Sequence, residues 1–134
     1  MTLVVDASVV TAALVDDGPA GSWALTTLRE GEAVTPQHLY VEVASALRRG
    51  QLAARLTRDV ATLAHEELLS LPIDLMPYPP IAHRAWELRG SVSSYDAVYV
   101  ALAEQLDADL VTLDRRLVRA PGPRCRFRSL PTPG

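Results

Sequence analysis

Residues 3–15 read LVVDASVVTAALV, a short apolar run closed by an acid and followed by a longer apolar segment. The first part, 3–6, has the length and β-branching of a buried strand, and the second, 7–15, has the length of a helix. The same alternation returns along the chain. Strands are expected at 3–6, 33–35, 73–76, 110–113 and 126–130, and helices at 7–15, 22–29, 37–49, 58–69, 82–89 and 94–106. Short apolar strands alternating with amphipathic helices specify an open, parallel α/β sheet. Gly18, Pro19, Gly31, Pro36, Gly50, Pro72, the 77–80 segment, Gly90 and the 121–123 segment separate the elements. Leu39, Val43, Ala46 and Leu47 form one apolar stripe at helical spacing, and Leu52, Leu56, Val60, Leu63 and Leu68 form another. Gly50 and Gln51 would make the corner of this helical hairpin. Its stripes either pack in the core or leave a part exposed that receives an apolar helix from a partner.

A chain of 134 residues makes one domain, which buries about two-thirds of the surface its unfolded form exposes. The single cysteine, Cys125, has no internal disulfide partner, which fits a reducing, cytoplasmic compartment. The longest unbroken apolar run, 97–103, is far below the ~20 residues that span a membrane. No basic start, apolar core and small-residue cleavage site opens the chain, so no leader is expected. The formal charge is -3, but it is unevenly spread: residues 1–114 hold all 16 acids and 7 arginines, whereas 115–134 hold six arginines and no acid. That basic segment either attracts phosphate beside the acids or forms a solvated edge. All 13 basic residues are arginine, which excludes Schiff-base chemistry, Walker-type phosphate loops and receiver domains, since each needs a lysine.

Four acids stand where a folded chain does not readily place them. Asp6 ends the run LVV, Glu42 interrupts the apolar stripe of HLYVEVASALRR, Asp96 opens YDAVYVALAEQL, and Asp114 ends LVTL. Buried acids are rare unless paired or metal-bound. Taken singly, Asp6 and Asp114 have an alternative role as helix N-caps, and Asp96 as a first-turn acid behind a serine cap. Glu42 has no such role in a helix beginning at residue 37. It needs an arginine partner, with Arg48, Arg49 and Arg84 as candidates, or a shared cation. Asp6 and Asp114 both follow strands, where open α/β sheets bind ligands, and an all-oxygen ligand set selects Mg²⁺ or Mn²⁺ over zinc. His38, His65 and His83 share no ligand spacing, and His38 and His83 read as surface or cap-proximal residues. No G-x-S-x-G elbow is present, and no histidine lies near Cys125, so nothing supports a covalent nucleophile.

The segments VVDASVV, YVEVASALRRG, SSYDAVYVALAEQL and LVTLDRRL, in this order and spacing, resemble the four acidic signatures of the PIN domain family. Their spelling is similar to the VapC-type toxins of bacterial toxin–antitoxin pairs, and the resemblance covers nearly the whole chain, from Leu3 to about Leu130. It implies a PIN-like α/β/α sandwich with a central, mainly parallel sheet of about five strands flanked by helices. Residues 1–130 would form a single nuclease domain, and 131–134 a short flexible tail. The implied activity is that of a metal-dependent endoribonuclease, using Mg²⁺ or Mn²⁺ held by Asp6, Asp96, Asp114 and Glu42. Ser8 and Thr112 match the small hydroxyl residues that accompany the first and last aspartates. They would position a ligand or a phosphate oxygen, while Arg115, Arg116 and Arg119 are candidate RNA-phosphate contacts. The resemblance also implies a cognate antitoxin and a homodimer. A further acid that some relatives carry after the last aspartate is replaced here by Arg115 and Arg116, which argues against a second tightly held metal. The rival reading is a non-catalytic RNA- or protein-binding module of the same fold. A metal-dependent phosphatase lacks its D-x-D pair, since Asp6 is followed by Ala7 and Ser8.

Overall fold

The alternation of strand and helix yields one parallel sheet. A computed structural model describes residues 1–131; the remainder of the expected tail, 132–134, lies outside the described residues. The strands are β1 (Thr2–Val5), β2 (Glu32–Pro36), β3 (Ile73–Met76), β4 (Asp109–Val111) and β5 (Phe127–Arg128). They lie in the order β3-β2-β1-β4-β5, and every neighbouring pair is parallel. The helices are α1 (Ala7–Val15), α2 (Pro19–Leu28), α3 (Leu39–Leu52), α4 (Arg58–Ser70), α5 (Ala82–Glu87), α6 (Ser94–Leu106) and α7 (Arg115–Arg119), with 3-10 turns at Pro79–Ile81 and Leu88–Gly90.

The strand order fixes where a ligand can bind. The chain steps outward from β1 through β2 to β3, then returns to the other side of β1 for β4 and β5. Right-handed crossovers place the helices before and after that reversal on opposite faces. Accordingly α1, α2, α3 and α4 pack among themselves, and α5 packs on α6, giving the α/β/α sandwich. The reversal leaves a crevice between the carboxyl ends of β1 and β4, the topological switch point at which such sheets take ligands.

Burial explains the elements. Leu3, Val4 and Val5 of β1 are buried, as are Leu110 and Val111 of β4, as expected for central parallel strands covered on both faces. Helix α6 buries every residue from Ala97 to Ala103, which accounts for its nearly unbroken apolar sequence. The two-residue edge strand β5 is held by backbone bonds from Leu110 and Thr112 and by side chains. Arg128 reaches Glu30 at 2.8 Å and Asp109 at 3.2 Å, and Arg126 reaches Asp107 and Asp109, each at 2.9 Å. Two of the six C-terminal arginines are thus occupied in ion pairs at the sheet edge.

The hairpin differs from the expectation. Helix α3 runs through Gly50 and Gln51 to Leu52, and the reversal falls at 53–57, where Ala54 takes a left-handed φ of 59°. Gly50 is needed because Leu56 folds back over it; a Cβ there would meet Leu56 Cδ1 at 2.8 Å. Thr57 then caps α4 by accepting from the Val60 N–H at 3.1 Å, and this start sets the helical phase. Ala61, Ala64 and Leu68 face inward, while Leu52, Val60 and Leu63 are 68%, 47% and 60% exposed. The second stripe is therefore largely on the surface. The short helix α7 was not expected, and α2 begins three residues early because Pro19 suits a first helical turn.

Candidate active site

Asp6 ends β1 and caps α1, its side chain accepting from the Val9 N–H at 3.3 Å. The capping role and the site role coincide in one residue, which is 5% exposed. Ser8 Oγ donates to Asp6 Oδ1, and Thr112 Oγ1 donates to Oδ2. Each hydroxyl also accepts a backbone N–H, from Leu113 to Ser8 at 3.0 Å and from Asp114 to Thr112 at 3.0 Å. Those backbone donors turn both hydroxyl protons toward Asp6. Burial nevertheless raises the Asp6 carboxyl to about 6, against the three hydrogen bonds that lower it, and the charge of Asp96 adds to the rise.

The other acids come from three further elements. Asp114 caps α7, accepting from the N–H groups of Arg116 at 2.9 Å and Leu117 at 3.4 Å. Asp96 lies in the first turn of α6, where its N–H donates to the capping Ser93 Oγ at 3.1 Å. Burial pushes the Asp96 carboxyl above the usual range, and the charges of Asp114 and Glu42 push it further. Glu42 lies in the first turn of α3, because that helix begins at Leu39. Its side chain is 30% exposed, so it lies less deep than the apolar stripe suggested. Tyr99 Oη donates to its Oε1 at 2.9 Å. His38 Nε2 stands 3.0 Å from the same oxygen, but without the alignment of a hydrogen bond.

None of the expected arginines pairs with Glu42. Arg84 instead holds Glu104 at 2.7 Å, Glu87 at 3.2 Å and the Gly122 carbonyl at 2.9 Å. His38 was expected at the surface or near a cap. It occupies the capping position of α3, but its ring is half-buried, packed on Tyr95 and Tyr99. His65 and His83 are exposed and line no part of the acidic cavity. Burial pushes the Cys125 thiol up to about 11, which leaves it inert at neutral pH.

Asp6, Glu42, Asp96 and Asp114 line one cavity of about 690 Å³, together with Ser8, Tyr99, Arg49 and Arg55. Arg115, Arg116 and Arg119 are exposed on α7 and do not line it. Arg55 was not singled out in the sequence, and Arg49 was named there only as a candidate partner of Glu42. Arg49 is legible in retrospect, since Glu42, Ala46 and Arg49 follow i, i+4, i+7 on one face. Arg55 enters through the displaced turn.

The donor set suits a hard divalent cation. All four side chains offer carboxylate oxygen, and Asp6 and Asp96 are both raised first by burial, with the charge of a neighbouring carboxylate adding to it. Among the described residues no ion pair involves Asp6, Asp96 or Asp114. Nor do three acids, histidines or cysteines stand close enough to grip one ion in these side-chain positions. Closing on an ion therefore calls for side-chain rotation within the cavity.

Comparison with known proteins places the chain in a family. The family model of the PIN domain matches residues 3–123. Ribonuclease VapC1 of Mycobacterium tuberculosis is 38% identical over 126 residues, covering 93% of this chain and 95% of that protein. The crystal structure of VapBC2 from Rickettsia felis, bound to a DNA fragment from its promoter, superposes with a TM-score of 0.70 at 13% identity, covering 98% of this chain and 100% of that one. The crystal structure of Mycobacterium tuberculosis VapC20, a sarcin–ricin loop cleaving toxin, gives 0.67 at 18% identity over 87% of this chain and 92% of that one. The chain belongs to the PIN domain family, in the group of the VapC ribonucleases.

Proposed function

We propose that this protein is a metal-dependent endoribonuclease, a toxin that cleaves RNA phosphodiester bonds and is neutralised by a cognate antitoxin. The observation that carries this reading is the convergence of Asp6, Glu42, Asp96 and Asp114 on one cavity at the sheet's switch point. Relatives named as VapC ribonucleases support it, as do the VapBC structures. Residues 1–130 act as the nuclease unit, in the reducing cytoplasm, where Cys125 stays a free thiol.

Asp6, Asp96 and Asp114, with Glu42 directly or through water, would hold Mg²⁺ or Mn²⁺. When bound, the ion would supply positive charge to offset that of the phosphate and would lower the pKa of a water on it. Ser8 and Thr112 hold the Asp6 carboxylate in a fixed orientation. Tyr99 occupies Oε1 of Glu42, which leaves Oε2 to orient the attacking water and accept its proton. Arg49 and Arg55 reach into the cavity and hold phosphate oxygens there, a contact that reads no sequence. Arg115, Arg116 and Arg119 serve as outer phosphate contacts on α7.

The antitoxin and the homodimer rest on the family resemblance. Exposed Leu52, Val60 and Leu63 on the α3–α4 hairpin offer an apolar helix partner a surface. The test is expression in bacteria. Wild-type protein should arrest growth, Asp96→Asn should not, and the product of the adjacent small gene should restore growth. Arrest by Asp96→Asn at equal abundance would favour the non-catalytic binding module.

A further inference from the structure

Beside the acidic cavity lies a second cleft of about 440 Å³, a size common for small-ligand sites. Its walls include His38, Met76, Tyr78, Tyr95 and Val98, with Gln37 and Ser94 at its polar edge. No residue of the lining carries a fixed charge, so the cleft is suited to neither phosphate nor cation. Two aromatic rings stand out of the core here, Tyr78 at 48% and Tyr95 at 62% exposure.

The cleft adjoins the acids through two residues. Tyr95 precedes Asp96 in the first turn of α6. His38 forms a common wall, with its ring centroid 5.6 Å from Tyr95 and 5.0 Å from Tyr99 and its Nε2 3.0 Å from Glu42. An aromatic series, Tyr95–His38–Tyr99, therefore leads from the cleft to the carboxylate that orients water. His38 Nε2 is buried against Glu42, 3.0 Å from its Oε1, so the histidine contributes to the cleft as part of its aromatic wall.

Aromatic faces with neutral donors and acceptors at the rim are what an unstacked nucleobase requires, since sequence-tolerant binding of single strands rests on base–aromatic stacking. We propose that this cleft receives one unpaired base of the RNA, next to the phosphate held over the acids, stacked against Tyr78 and Tyr95. The inference rests on the ribonuclease reading and adds to it that the substrate is single-stranded at the nucleotide beside the cut. Gln37 and Ser94, at the polar edge, supply the contacts that favour some bases over others.

The test uses the full chain and short single-stranded RNA oligonucleotides carrying 2-aminopurine, or an abasic site, at successive positions around a mapped cut. Wild type should quench 2-aminopurine at one position, and removing the base there should lower kcat/KM by about 5- to 150-fold. Tyr78→Ala and Tyr95→Ala should abolish the quenching and the cost of the abasic site together, while Tyr78→Phe and Tyr95→Phe retain both. Cleavage indifferent to every abasic position, in wild type and the alanine variants alike, would overturn the base subsite and leave the ribonuclease reading standing. Alanine variants that become monomers in sedimentation and yet show the wild-type abasic penalty would assign the face to a second copy of this chain. Folded wild type that neither binds nor cuts RNA with Mg²⁺ or Mn²⁺ would overturn both readings.

Discussion

The Tyr99 hydroxyl donates to Oε1 of Glu42 across 2.9 Å, joining α6, which carries Asp96, to α3, which carries Glu42. Tyr99 is 1% exposed, and burial, with the charge of Glu42 next, drives its pKa far upward. It therefore stays protonated and remains a donor at every working pH. Tyr99→Phe removes that donor with little change in shape. A hydrogen bond to a charged group is worth about 1.5–3 kcal/mol, so a loss near the lower end is expected for a carboxylate with access to water. Urea denaturation reads the stability change. The rate of cleavage should also fall, because Glu42 then lacks its fixed orientation.

Asp6 sets a pH dependence on stability. Its carboxyl is raised from 3.8 to about 6 by burial, so the folded state binds this proton more tightly than the unfolded one. The metal-free protein has the full benefit below about pH 4 and loses it as pH rises through about 6. The cost at neutral pH is about 3 kcal/mol, from roughly two pKa units at 1.36 kcal/mol each. Asp6→Asn should flatten this dependence while losing cleavage. Denaturant midpoints measured from pH 4 to pH 7 decide it; an unchanged slope in the variant would show that another group carries the effect.

Arg49 and Arg55 enter no ion pair among the described residues and line the acidic cavity. Arg49→Ala and Arg55→Ala should weaken RNA binding. Each should lower the slope of log K against log salt by about 0.7, as expected for one lost phosphate contact on a single strand. Arg126→Ala should leave that slope unchanged and weaken β5 instead, since its guanidinium is taken up by Asp107 and Asp109. Fluorescence anisotropy across a salt series separates the two classes.

Gly21 lies buried in α2, and a Cβ there would fall inside van der Waals contact with the carbonyl oxygen of Asp16. Gly21→Ala should therefore destabilise the fold by at least the 1–3 kcal/mol or so typical of overpacking, although alanine is the better helix former. Thermal unfolding of the variant checks this, and a gain in Tm would contradict the placement of the 16–21 turn.

Much of the fold was legible because each central strand carries a short apolar run, and because punctuation by Gly and Pro separates the elements. The acids were legible for a different reason. Asp6 and Asp114 cap helices as well as lining the cavity, so strand-end position, not residue type alone, marked them. The hairpin was misread because Gly50 signals a turn in sequence, whereas here it makes room for Leu56. That displaced phase concealed both the exposed face of α4 and the approach of Arg55 to the site. Tyr99 was missed as a partner of Glu42 because it is an ordinary helix residue until tertiary packing brings α3 and α6 together, whereas His38, four residues before Glu42, was legible from spacing. The edge role of Arg126 and Arg128 likewise depends on strand order, which local sequence does not encode.

The most direct measurement is cleavage of total cellular RNA by the purified, antitoxin-free protein, with Mg²⁺ or Mn²⁺ and with EDTA, beside Asp96→Asn. Discrete fragments that require the metal, vanish with EDTA and fall by more than about 100-fold in a folded Asp96→Asn variant are the predicted result. Equal cleavage by wild type and variant, or none by folded wild type with either metal, would contradict the account that these four carboxylates cut RNA.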